Sequence, residues 1–311
     1  MSDRQRVVVV TGGGGGIGAA IAESLGGTGA FVVTVDPLVS VDGSEQLPPP
    51  EETTAGRIVA AGGAARACET SVTDGPAIHR LFGELADEFG GLDAVINVAG
   101  ISRPTGFAKG TDHDWLGVLA VHLDGYRNVL NAALPLMATA GHGHVLGVTS
   151  GSGWRAADAG AYGCAKRAVA ALTWQLGRHA PDGVVINAIS PIAATRMVTA
   201  ALGRAGSSGG SATGGLALGS MPAPEHLGPL GAHLVGEGFA SCRGRVLFAG
   251  GSEVAVIDEP RLIEVVRTDD VPSTARVLDV ATTVALVPAE EHQVSGGGSN
   301  ARLGSSFDEP A

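Results

Sequence analysis

Tyr162 and Lys166 stand four residues apart in the run AYGCAK, inside a stretch whose spacing predicts a helix from about Ala161 to His179. Residues four apart share one helix face, so the phenol and the ammonium meet. Such a pair is an acid–base device: the cation favours the phenolate and is expected to draw the tyrosine pKa down toward neutrality. Scarcity makes the pair informative. The chain has 2 tyrosines, and of its 20 basic residues only Lys109 and Lys166 are lysines. Random placement would give a Tyr-x-x-x-Lys pair in about one such chain in a hundred. The plain alternative is a solvated surface pair. Ser150 closes a predicted strand in VTSGSGW, where its hydroxyl can hold a carbonyl or alcohol oxygen shared with Tyr162. Ser152, in the same turn, competes for that role.

A second constellation concerns an anion. Thr11–Gly18 reads TGGGGGIG directly after VVVV and directly before a helical pattern. Gly12, Gly16 and Gly18, with Ile17 between the last two, can supply the tight turn, the close approach to a pyrophosphate and the tight helix packing. With 49 glycines in 311 residues the motif arises by chance about once in such a chain, so its place between strand and helix carries the weight. Asp36 ends the second strand about twenty residues on, where a carboxylate accepts both ribose hydroxyls and repels a 2′-phosphate. No Arg or Lys lies in the glycine loop or just after Asp36, so NAD is favoured over NADP. Asn97, Ala99 and Gly100 form a small-residue turn after another strand that lets backbone approach the adenosine side.

These groups need a scaffold that brings strand ends together. From Arg6 to about residue 258, β-branched runs alternate with helical stretches, the signature of a doubly wound parallel α/β sheet with helices on both faces. Strands are predicted over Val7–Thr11, Phe31–Asp36, Ala64–Ala67, Leu92–Asn97, His144–Thr149, Val184–Ile189 and Arg245–Phe248. Helices are predicted over Ile17–Leu25, Ile78–Phe89 and, as one long element, Asp112 to about Met137. The reading gives a catalytic domain over 1–258, interrupted by an inserted Pro-rich loop at 37–56 and a mobile substrate loop at 196–222. A C-terminal extension with a flexible tail follows over 259–311.

Composition narrows the class of function. The formal charge of −11 disfavours nucleic acid as a general partner. No apolar run reaches the length of a membrane span. The 3 cysteines stand far apart, which predicts neither a metal site nor a disulfide framework. A cytoplasmic protein acting on a small-molecule substrate is the expectation.

Taken in order, the TGxxxGIG loop, Asp36, the NVAG turn, Ser150, YxxxK and the NAISP run at Asn187–Pro191 resemble the short-chain dehydrogenase/reductase superfamily over about residues 6–250. The resemblance implies a Rossmann-like fold, a homo-oligomer (dimer or tetramer) and hydride transfer between a nicotinamide ring and a carbonyl or alcohol. It implies that Tyr162 is the general acid/base, that Lys166 holds the nicotinamide ribose and tunes Tyr162, and that Ser150 orients the substrate. Pro191, Ile192 and Thr195 match the segment that contacts the cofactor. Ser71 and Val72 stand where the family places an adenine contact. Three departures matter. His122 replaces the family's relay Asn, and either takes over the relay, leaves it to its backbone carbonyl, or is simply packed. Ile192 stands where Gly commonly follows Pro, and the usual acidic or amide adenine contact near Ser71 is missing.

The substrate pocket is expected to draw on Ser152, Trp154 and Met197, with Arg103 and Phe107 at the rim. Hydrophobic secondary alcohols or 3-hydroxyacyl thioesters fit such a wall, although Arg196 and Arg204 are thin support for coenzyme A phosphates. The alternatives are an NADPH-dependent ketoreductase and a redox-inactive nucleotide sensor or scaffold that keeps the fold.

Overall fold

The computed structural model describes residues 4–154, 159–205, 221–236, 242–251 and 253–257. Its centre is one eight-stranded sheet in the order β3-β2-β1-β4-β5-β6-β7-β8. The strands are β1 (Val7–Thr11), β2 (Phe31–Val35), β3 (Ala64–Cys68), β4 (Ala94–Asn97), β5 (Gly143–Val148), β6 (Val184–Ile192), β7 (Val246–Gly250) and β8 (Glu253–Ile257). The first seven pair in parallel, and β8 returns antiparallel on β7.

Helices cover both faces, which is why the central strands are apolar on both sides. Val7 and Val9 of β1 point into one core, against Ile78, Phe82 and Leu85 of α3 (Gly75–Phe89) and Val129 of α5 (Gly125–Ala140). Val8 and Val10 point into the other, against Ile21 and Leu25 of α1 (Gly16–Gly26), Ile58 of α2 (Thr54–Ala60) and Leu234 of α9 (Leu227–Leu234). The remaining helices are α4 (Asp112–Leu119), α6 (Gly151–Trp154), α7 (Gly160–His179) and α8 (Arg196–Ala205).

The doubly wound sheet is as expected, and several local features differ from the sequence reading, the short helices α6 and α9 among them. The long helix after Asp112 is broken by one π-helical turn over Ala120–Asp124, which carries His122. An extra residue in the helical ladder re-aims side chains and often marks a functional site. The inserted loop gives way to α2 at Thr54, capped by the Thr53 hydroxyl, which accepts the Gly56 N–H at 3.0 Å. β8 follows a tight Gly250–Gly251 turn that the Gly-Gly pair could have signalled. The segment expected as a mobile loop at 196–222 opens as the helix α8. Residues 206–220 and the extension from 258 lie outside the described residues. No helix among the described residues is long and apolar enough to cross a membrane.

Candidate active site

Strand order reverses between β1 and β4, and in such a sheet the crevice beyond the carboxyl ends is where ligands bind. A cavity of about 800 Å³ opens there. It runs from Asp36 and Ser71 at one end, past Gly12, Gly16 and Ala99, to Ser150, Tyr162 and Lys166 at the other.

The catalytic candidates meet at its floor. α7 carries Tyr162 and Lys166 on one face, with the Lys166 Nζ 5.8 Å from the centre of the Tyr162 ring. Burial of the Tyr162 phenol pushes its pKa above the ordinary value, and a hydrogen bond with the Ser150 side chain pulls part of the way back. The expectation that Lys166 would draw the tyrosine toward neutrality is therefore corrected: desolvation of the phenol dominates. Lys166 feels the same burial, which pushes its own pKa down to about 7, while its Nζ donates to the Val148 carbonyl at 2.7 Å. Between Ser150 and Ser152 the geometry sides with Ser150. Its Oγ accepts the Ser152 N–H at 3.3 Å, and its side chain is the one bonded to Tyr162.

His122 completes the floor. Its ring stands edge-on to Tyr162 with centroids 5.1 Å apart, and it is only 1% exposed. Burial, reinforced by the Lys166 charge, pushes its pKa down to about 3, so the imidazole is neutral. Nε2 lies 2.8 Å from the Ile101 carbonyl and 3.1 Å from the Ile101 N–H, and takes one or the other according to tautomer. Either way Nδ1 is buried with no partner among the described residues. Gly100 makes room for the ring: a Cβ there would overlap His122 Cε1. The glycine in the NVAG turn thus serves His122 as well as the cavity wall.

The glycine loop has the shape of an anion cradle. Gly12 and Gly16 hold positive φ angles of 68° and 54°, and a Cβ on Gly12 would press into the Ala99 backbone at 2.7 Å. Gly15 caps α1 without a side-chain hydrogen bond, so the first N–H groups of the helix face the cavity end of the loop. Asp36 accepts the Gly14 N–H at 3.0 Å and the Leu38 N–H at 2.9 Å. Its carboxylate is thus fixed beside the loop. An open helix terminus, a turn that excludes side chains and an acidic residue at its edge fit a dinucleotide.

Of the site residues read from sequence, Gly12, Gly16, Ile17, Asp36, Ser71, Val72, Ala99, Gly100, His122, Ser150, Ser152, Trp154, Tyr162, Lys166, Pro191, Ile192, Thr195 and Met197 all line this one cavity. Two do not. Asn97 is buried and accepts a 2.8 Å hydrogen bond from Thr11, bracing β1 against β4 beneath the site. Gly18 packs against the Gly12 carbonyl, where a Cβ would collide. Both hold the loop in place from below. Arg103 lines the wall, but Phe107 is 81% exposed, stacks on Trp115 and is off the lining. Trp154 is pinned by its Nε1, which donates to the Ser190 hydroxyl at 2.9 Å.

Sequence reasoning missed one contributor and gave another, Arg196, only as thin support for coenzyme A phosphates. The loop after β2 folds back over the adenosine end: Val39, Ser40, Val41 and Gln46 line the cavity, held by the Arg103 Nε bond to the Asp42 carbonyl at 2.6 Å. Arg196 also reaches the glycine loop, within 3.2 Å of where a Gly15 Cβ would be. Neither placement has a local sequence signal, because both depend on how distant segments pack.

The model of the short chain dehydrogenases matches residues 6–204. The chain belongs to that family. A crystal structure of a short chain dehydrogenase from Mycobacterium avium superposes with a TM-score of 0.68 at 30% identity, covering 88% of this chain and 94% of that one. The short-chain reductase protein NovJ of Streptomyces niveus is 34% identical over 197 residues, 63% of this chain and 72% of the relative. A peroxisomal hydratase-dehydrogenase-epimerase of Neurospora crassa is 32% identical over 252 residues, 80% of this chain but 26% of that longer protein. An oxidoreductase of Mycobacterium tuberculosis described as NAD-dependent is 33% identical over 193 residues, 60% of this chain and 70% of its own.

Proposed function

We propose that this short-chain dehydrogenase moves hydride between NAD and a secondary alcohol or its ketone, with Tyr162 as general acid/base. The observation that carries the proposal is the convergence of Tyr162, Lys166 and Ser150 on the floor of the same cavity that holds the glycine cradle and Asp36. When bound, the nicotinamide ring supplies the hydride acceptor or donor. The chain's own residues handle the rest. Ser150 holds the substrate oxygen beside the Tyr162 hydroxyl. In reduction the phenol donates its proton to the carbonyl oxygen as the carbonyl carbon gains hydride; in oxidation the phenol first gives up its proton to solvent, and the resulting phenolate takes the hydroxyl proton. The raised tyrosine pKa keeps that proton in place in the resting chain.

Asp36 supports NAD over NADP, because its fixed carboxylate repels a 2′-phosphate. The relative described as NAD-dependent agrees with that preference. Trp154, Ile192 and Met197 give the substrate end an apolar wall. Together with the hydratase-dehydrogenase-epimerase relatives, this makes 3-hydroxyacyl thioesters the first substrate class to test. The experiment is a panel of hydrophobic secondary alcohols and 3-hydroxyacyl thioesters offered with NAD and, in parallel, with NADP. NADH formation with at least one member is expected. Tight NAD binding without turnover across the panel would favour a redox-inactive sensor, and faster turnover with NADP would favour the ketoreductase alternative.

A further inference from the structure

The charged side chains among the described cavity-lining residues are Asp36, Arg103, Lys166 and Arg196. Three of the four are engaged. Asp36 accepts two backbone N–H groups, Arg103 donates to the Asp42 carbonyl, and Lys166 donates to the Val148 carbonyl. Arg196, by contrast, forms no hydrogen bond or ion pair with any described residue, although its guanidinium lies against the glycine loop. A cation with no partner among the described residues, set at an anion cradle, is the feature that the reading of the site as a dinucleotide pocket does not yet use.

Position along the loop decides which anion it faces. A Cβ on Gly14 would meet the Asp36 carboxylate at 2.7 Å, so that side of the loop belongs to the ribose end. A Cβ on Gly15 would meet Arg196 Nη2 at 3.2 Å, and one on Gly16 would meet Thr195 Cγ2 at 3.6 Å. Thr195 and Arg196 therefore run alongside Gly16 and Gly15, at the open N-terminus of α1. Thr195 in turn accepts the Val198 N–H at 3.3 Å and so fixes the start of α8, the helix that carries Arg196. Glu23 and Glu225 line the hollow behind the loop, but Glu23 is already paired with Arg57 at 2.7 Å.

We propose that Arg196 is a pyrophosphate clamp: the first residue of α8 supplies, from across the cavity, the cation that the glycine loop lacks in sequence. The inference rests on the dinucleotide reading above and names a residue that binds the diphosphate rather than the reacting atoms. A guanidinium suits a diphosphate because its planar fork can give two parallel hydrogen bonds to phosphate oxygens. Because Met197 and Val198 follow directly and line the same cavity, gripping the diphosphate would also hold the start of the substrate wall.

The test is calorimetric titration of the full chain with NAD, ADP-ribose and NADP, with adenosine followed by ligand-observed NMR. Arg196→Gln is expected to weaken NAD and ADP-ribose alike, on the order of tenfold, and to leave adenosine unchanged. Arg196→Lys should recover part of the loss, and added salt should weaken the wild type more than Arg196→Gln. Unchanged NAD and ADP-ribose affinity in Arg196→Gln would overturn the clamp, as would a loss confined to NADP, which would place the guanidinium at the 2′-phosphate. A wild type that binds no dinucleotide would reject the underlying reading as well. A wild type that binds NAD, beside an Arg196→Gln variant that binds it equally, would reject the clamp alone.

Discussion

The two ends of the sheet hold similar side chains in opposite states of satisfaction. At the amino end, Arg4 grips Asp93 with bonds of 2.8 and 2.7 Å, the Val7 N–H adds a third at 2.7 Å, and His142 approaches the same carboxylate at 3.0 Å. Burial raises the Asp93 pKa, but Arg4, Val7 and His142 outweigh it and hold the carboxyl below its ordinary value. At the carboxyl end, His122 is buried with Nδ1 unpartnered among the described residues, Tyr162 is pushed up, and Lys166 is pushed down to about 7. An unpaired buried polar atom costs about 1–3 kcal/mol. One end spends its charges on holding the chain together. The other keeps buried acid–base groups in a cavity large enough for a ligand, which is what a catalytic site requires.

Variants at the two ends should therefore fail differently. Tyr162→Phe gives the largest effect: turnover falls roughly 10³-fold while NAD binding and melting temperature stay near wild type. A variant that keeps turnover would erase the distinction between the ends. Asp93→Asn should do the reverse. Removing the charge that Arg4 and His142 face should cost about 3 kcal/mol in denaturant unfolding, with kcat in the folded enzyme little changed. Because the folded Asp93 pKa lies below the unfolded one, its stabilisation is full above about pH 4 and is lost as pH falls through the lower folded value. Wild type should lose stability across that acid range, and Asp93→Asn should lose less.

Smaller effects sharpen the carboxyl end. Asp36→Ala should shift the ratio of NAD to NADP affinity by about tenfold toward NADP, since a fixed charge beside the ribose is removed. An unchanged ratio would show that the carboxylate serves only the loop. His122→Phe should lower kcat several-fold, at a stability cost of about 1 kcal/mol or more because the buried Ile101 backbone group that Nε2 engages loses its partner. If melting temperature falls and kcat does not, His122 is packing alone.

The chain declared its candidate catalytic pair and its sheet openly. Tyr162 and Lys166 were legible because helical spacing puts them on one face and because their types are rare in this composition. The parallel strands were legible because burial on both faces forces continuous apolar runs such as VVVV. What escaped was set by packing between distant segments. The π-helical turn under His122 leaves no mark in VHLDG, the strap formed by the loop after β2 depends on Arg103 reaching Asp42, and Arg196 gains meaning only when α8 is laid against Gly15. The direction of the tyrosine shift was misjudged for a related reason: a motif shows the neighbouring cation but not the depth of burial that opposes it.

The central claim is that the cavity floor transfers hydride from a carbinol carbon to NAD. It is tested most directly with a secondary alcohol or 3-hydroxyacyl thioester that is a substrate, deuterated at the carbinol carbon, turned over by the wild-type chain with NAD. The account predicts that the deuterium appears on the nicotinamide ring of the NADH formed, and that Tyr162→Phe forms almost none. NADH without deuterium, or labelled NADH produced equally by Tyr162→Phe, would contradict it.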